Sequence, residues 1–125
     1  MNKGIIIAAA VLAVILAVGI FECLYLKNNY TSLADEISIC IEKAKAETLA
    51  TRDCDDLEKH WIDLRETTEL FLPHADIYEL NLRIYEGISN AKSGDMKETA
   101  VHLSVAKMLA EYIPQLVRPL FSHII

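Results

Sequence analysis

From Gly4 to Phe21 the chain runs for 18 positions without one charged residue. If Glu22 is placed at a boundary, the apolar stretch continues through Cys23, Leu24, Tyr25 and Leu26. At a rise of 1.5 Å per residue, Ile5 to Leu26 covers roughly 33 Å as a helix, close to a hydrocarbon core of about 30 Å. Residues 1–27 therefore read as an amino-terminal membrane anchor that meets lipid through residues 4–26. A cleaved signal peptide is the competing reading, because Ala17-Val18-Gly19 sets small residues where a peptidase needs them. The run exceeds the usual apolar core of a signal peptide, and only Lys3 precedes it, which favours a retained anchor. Lipoprotein processing is disfavoured, since Glu22 stands where a small residue would have to precede Cys23.

The three-residue head with Lys3 is easily left in the cytoplasm. A single-pass orientation follows, with the amino terminus cytoplasmic and residues 28–125 outside the cytoplasmic membrane. The whole chain carries 18 Asp and Glu against 12 Lys and Arg, a formal net charge of -6, with no basic run. Nucleic acid is an improbable partner for such a surface, and anionic lipid would not attract the domain. Three cysteines make no disulfide framework: Cys23 lies at the membrane boundary, and Cys40 and Cys54 are expected at mismatched heights on neighbouring helices, as free thiols.

Beyond the anchor the pattern becomes periodic. Leu33, Ile37, Cys40, Ile41, Ala44 and Thr48 recur at helical steps, with Ser32 and Asp35 as a capping pair, which predicts a helix over 32–50. Leu57, Trp61, Leu64, Thr68 and Phe71 mark a second helix, introduced by Asp53, Asp55 and Asp56 and ending near Leu72, before Pro73. Ile77, Leu80, Ile84, Gly87, Ile88 and Ala91 mark a third, closed by Ser93-Gly94. A fourth starts at Asp95, spaced from Glu98 as a capping box, and carries Val101, Ser104, Val105, Met108 and Tyr112 before Pro114. With only four glycines and three prolines, an all-β fold lacks its turns.

The fold class is thus all-α: one transmembrane helix, then an antiparallel up-down bundle of about four helices over residues 28–125. Short connections bring the Phe71-Leu72-Pro73-His74 turn and the carboxyl end to the bilayer side. Tyr112 to Ile125 contains one charge, Arg118, so Leu120, Phe121 and their neighbours need cover from the bundle, the lipid interface or a partner.

Trp61 in mid-helix, His74 just after a Leu-Pro turn, an apolar third helix and a closing apolar tail resemble a family of short bacterial proteins with one amino-terminal membrane helix, catalogued as domain of unknown function four-three-six-three. The resemblance spans nearly the whole chain. It implies a membrane-anchored helical domain and carries no activity. Pro114 and Pro119 depart from it by interrupting the last segment.

The chemistry is sparse. Asp56 with His60 and Glu98 with His102 each stand four apart, whereas di-iron bundles place Glu and His three apart on two helices, with a further Glu from each of the others. Such pairs more often solubilise a helix face than bind metal, so no metal and no cofactor are assigned. His74 beside Asp76 suits a structural cap of carbonyls at the end of the second helix. No serine sits in a nucleophile elbow, and the glycines are too scattered for a phosphate loop. Trp61 reads as a packing residue. Tyr78 and Tyr85, seven apart, share a face and form either a contact strip or a half-buried bundle edge. In the anchor, Ala9, Ala13 and Ala17 form a seam that would admit another helix. The reading is a non-catalytic interaction or accessory protein with a membrane-protein partner or self-association. An extracytoplasmic ligand-sensing bundle that reports through a membrane partner is the alternative.

Overall fold

A computed structural model describes residues 2–70 and 74–116. Four helices follow one another: α1 Asn2–Lys45, α2 Thr51–Thr68, α3 His74–Lys92 and α4 Met96–Leu116, with no strand among the described residues. The all-α layout expected from periodicity is therefore present. The apolar amino-terminal segment and the first bundle helix are one element, however, and no break separates them.

The unbroken α1 overturns the expected capping pair. Ser32 and Asp35 sit exposed in mid-helix. The polar stretch that resembles a boundary turns back on its own helix: Asn29 Nδ2 donates to the Tyr25 carbonyl at 2.7 Å, and Thr31 Oγ1 to the Lys27 carbonyl at 2.8 Å. Such bonds satisfy Asn and Thr without ending a helix. The core face meanwhile passes straight through the stretch, since Leu26, Tyr30, Leu33 and Ile37 are all buried. Losing that burial would cost more than a cap returns.

α1 stops at Lys45 rather than Ala50. Glu47 takes a left-handed backbone (φ 58°), its N–H donates to the Ala44 carbonyl, and the Thr48 N–H donates to the Lys43 carbonyl at 2.8 Å. This paired closure is a Schellman motif. The same motif closes α3, where Gly94 (φ 85°) donates to Ala91 and Asp95 to Asn90. Asp95 then caps α4 by accepting the Glu98 N–H at 3.1 Å. α2 begins at Thr51, so Asp53 falls in its first turn, where its carboxylate accepts the Ala50 N–H at 3.0 Å. The last residue of α2 is Thr68, earlier than the expected stop near Leu72.

The helices form a closed ring in which α1 packs on α2 and α4, and α3 on α2 and α4. Lys43 meets Asp53, and Tyr30 meets Thr68, so α2 runs back along α1. Ala110 and Pro114 of α4 lie across a groove from Lys27 and Thr31. The ends of α2 and α4 therefore return to the end of the bundle from which the apolar segment of α1 leaves. That segment is uncovered: Ile5, Val14 and Phe21 are 62–69% exposed. It is the one helix among the described residues long and apolar enough to cross a membrane.

The core departs from expectation in α4. Thr99, Leu103, Ala106, Ala110 and Ile113 are buried, whereas Val101, Met108 and Tyr112 of the expected face are exposed. α4 carries two apolar stripes, and the buried one contains the small residues. Alanine at 106 and 110 lets α4 approach its neighbours closely. Leu103 fits against Gly87, where a Cβ would lie 2.7 Å from Leu103 Cδ2. α4 also continues through Pro114 to Leu116 instead of stopping before it. Only the final turn is affected, and the fully buried Ile113 anchors it.

Candidate functional site

Trp61 is fully buried and stands edge-on to Tyr30, with ring centroids 6.5 Å apart. Its indole N–H donates to Asn81 Oδ1 at 2.9 Å, and Arg65 Nη1 donates to the same oxygen at 2.7 Å. Asn81 thereby ties two successive turns of α2 to α3. The Tyr30 hydroxyl donates to Thr68 Oγ1 at 2.9 Å, which in turn donates to the Leu64 carbonyl. Burial pushes the Tyr30 hydroxyl up to about 12, and the bond to Thr68 works against that rise.

Outside this layer Tyr78 and Tyr85 lie seven residues apart on α3 and differ in exposure. Tyr78 is largely exposed, Leu82 sits between the two tyrosines at the surface, and Tyr85 is half-buried against the core. Beside Tyr78 a cleft of about 160 Å³ is lined by Arg65, Glu69, Ile77 and Asn81. Its charges are matched, since Arg65 Nε lies 3.8 Å from Glu69 Oε1. Asp76 is half-buried in the first turn of α3, where its charge suits the positive helix end. His74 is the first residue of α3; its side chain, together with Leu120 and Phe121, lies outside the described residues.

Two carboxylate–histidine contacts clasp the bundle, one on each hairpin. His60 Nδ1 lies 2.5 Å from Glu36 Oε2 across α1 and α2, and His102 Nδ1 lies 2.9 Å from Glu86 Oε2 across α3 and α4. The spacing of Asp56 from His60 and of Glu98 from His102 did not point to either partner; Glu98 contributes only a longer 3.8 Å contact to His102. Arg83 supplies the cation in the second cluster, 3.1 Å from Glu79 and 3.6 Å from Glu86. Among the described residues no group of three or more His, Cys, Asp or Glu is arranged to hold a metal ion.

Cys40 and Cys54 are free and buried, and they are near neighbours rather than at mismatched heights. Lys43 opposite Asp53 and Glu36 opposite His60 fix the register of α1 against α2. That register leaves the two cysteines about half a turn apart along the axis. Burial pushes the Cys40 thiol up to about 12, and the nearby Glu36 carboxylate adds to the rise.

No protein-family model, curated protein or solved structure matches the chain.

Proposed function

We propose that this protein is a single-pass, membrane-anchored helical module that serves as an interaction or accessory protein and carries no catalytic activity. Its amino terminus lies in the cytoplasm and its bundle outside the cytoplasmic membrane. The observation that carries the reading is the continuity of α1, which passes from the uncovered, uncharged segment before Glu22 into the buried face at Leu26 within one turn or so. A bundle attached this way stands at a fixed height and angle above the bilayer, as suits a module that presents a surface to another membrane component. The exposed strip on α3 around Tyr78 and Leu82 is one such surface. Lys3 ahead of the span supports the orientation.

Protease added to intact spheroplasts tests this reading. The account expects digestion beyond Asn28 and a protected fragment containing residues 4–26. Full protection until lysis would reverse the orientation, and a mature chain starting at Ile20 would make the segment a cleaved signal.

A ligand-sensing bundle is the second reading, supported by the groove of about 360 Å³ between α1 and α4. Lys27, Thr31, Asp35, Glu111 and Gln115 give it both signs of charge immediately above the span. A small zwitterion bound there would act on the spacing of α1 and α4. A reproducible rise in the unfolding midpoint with free amino acids, lost in Lys27→Ala, would favour it.

A further inference from the structure

We infer that the groove between α1 and α4 seats the headgroup of an aminophospholipid from the bilayer, with the phosphate at its foot and the primary ammonium above. The inference rests on the anchored reading and gives the groove of the second reading a ligand class. Lys27 follows directly on Leu26 at the end of the apolar stretch, so the foot of the groove stands at the level of lipid phosphates. Gln115 lies at the same foot, because α4 descends beside α1 and brings Pro114 across from Lys27. Asp35 stands two turns above Lys27, about 12 Å along α1, and Glu111 one turn above Gln115, about 6 Å along α4. The cation is therefore at the bilayer end of the groove and the carboxylates are at the far end.

These charges are open, whereas the bundle pairs its charges elsewhere. Neither Lys27 nor Asp35 is ion-paired among the described residues, and Glu111 has only a long contact, 3.9 Å from Lys107. By contrast, Lys43 lies 2.9 Å from Asp53, and Arg83 lies 3.1 Å from Glu79. The Thr31 hydroxyl donates to the Lys27 carbonyl, and one Gln115 amide hydrogen goes to the Glu111 carbonyl at 3.5 Å. The Lys27 ammonium and the second Gln115 amide hydrogen are left as donors at the foot, with the two carboxylates as acceptors above. Phosphatidylethanolamine carries its charges in that order: the phosphate is next to the acyl chains, and the ammonium is a two-carbon linker further out, with three N–H groups to donate. Phosphatidylcholine has no N–H to offer, and phosphatidylglycerol has no cation. Confinement to the bilayer surface supplies the headgroup at high effective concentration, so an open groove suffices.

The test places the full chain in phosphatidylcholine vesicles with a small fraction of lipid carrying pyrene on an acyl chain, and reads energy transfer from Trp61, the only tryptophan. Phosphatidylethanolamine labelled in this way is expected to quench Trp61 more than equally labelled phosphatidylcholine or phosphatidylglycerol, and excess unlabelled phosphatidylethanolamine should remove the difference. Equal quenching by the three lipids overturns the inference. Lys27→Ala should weaken the preference about tenfold, the loss of one hydrogen bond to a charged group. Asp35→Asn combined with Glu111→Gln should abolish it, with helicity by circular dichroism unchanged; a preference that survives in these folded variants also overturns the inference. Free phosphoethanolamine, equimolar with the labelled lipid, should leave the quenching unchanged, whereas displacement assigns the groove to a soluble zwitterion and overturns the lipid source. Flotation of the same vesicles reads the anchor separately. A chain that floats without preferring phosphatidylethanolamine loses the headgroup site alone, and a chain that does not float loses the anchored reading with it.

Discussion

Glu47 occupies at the end of α1 the left-handed position that Gly94 occupies at the end of α3, with the same two backbone bonds closing each helix. Glycine takes this conformation freely, whereas a residue with a Cβ is strained by roughly 1–2 kcal/mol. Glu47→Gly should therefore stabilise the folded protein by about 1 kcal/mol, and Gly94→Ala should destabilise it by a similar amount. Opposite shifts in the chemical unfolding midpoint check this; shifts of one sign would mean that the two turns are not equivalent.

Trp61 fills the centre of the bundle, and its only polar atom is satisfied by Asn81. Trp61→Ala should cost about 3 to 5 kcal/mol, which would leave a domain of ordinary stability largely unfolded. Asn81→Ala should cost about 1 to 3 kcal/mol by stranding the indole N–H. Equilibrium unfolding of the two variants gives the comparison, and a Trp61→Ala midpoint near that of the parent would place Trp61 at a surface.

Asp53 makes folding pH-dependent at the distal end. The Ala50 N–H, followed by the Lys43 ammonium, holds its carboxyl below the ordinary value of 3.8. A depressed carboxyl contributes stability that is present above its unfolded value and is lost as pH falls through the folded one. The gap in thermal midpoint between the parent and Asp53→Ala should thus be full at neutral pH and close progressively below 3.8. A gap that persists unchanged in acid would contradict the assignment.

Cys40 and Cys54 should resist alkylation in the folded protein. Both are buried, and burial raises both thiols, so little thiolate is present to react. Iodoacetamide labelling followed by mass spectrometry should find neither modified until denaturant is added. Rapid native labelling of Cys40 would show that the α1–α2 seam opens.

Much of this was legible in the sequence because helical periodicity reports burial. Leu33, Ile37, Leu57, Trp61, Leu80 and Ile84 fall on the expected faces and are buried. Gly94 and Asp95 announced the α3–α4 turn through conformational freedom and capping chemistry. Three things escaped. The stretch around Asn29 and Thr31 resembled a boundary, because side chains that cap helices also bond back within them. α4 has two apolar stripes, and periodicity alone cannot rank Val101, Met108 and Tyr112 below Leu103, Ala106 and Ala110; the close approach at Gly87 decides it. Glu36, Asn81 and Glu86 pair across helices, and such partners emerge only once the register is known.

The account turns on α1 being one rigid rod from the span into the bundle, and a single distance tests it. Spin labels at Val14 and Ser32, both exposed and five turns apart, are placed in the full chain with Cys23→Ser and reconstituted in lipid vesicles. Pulsed dipolar spectroscopy should return one narrow distribution near 27 Å, the length of 18 residues of continuous helix. A broad or markedly shorter distribution would place a hinge between Lys27 and Ser32 and contradict the account.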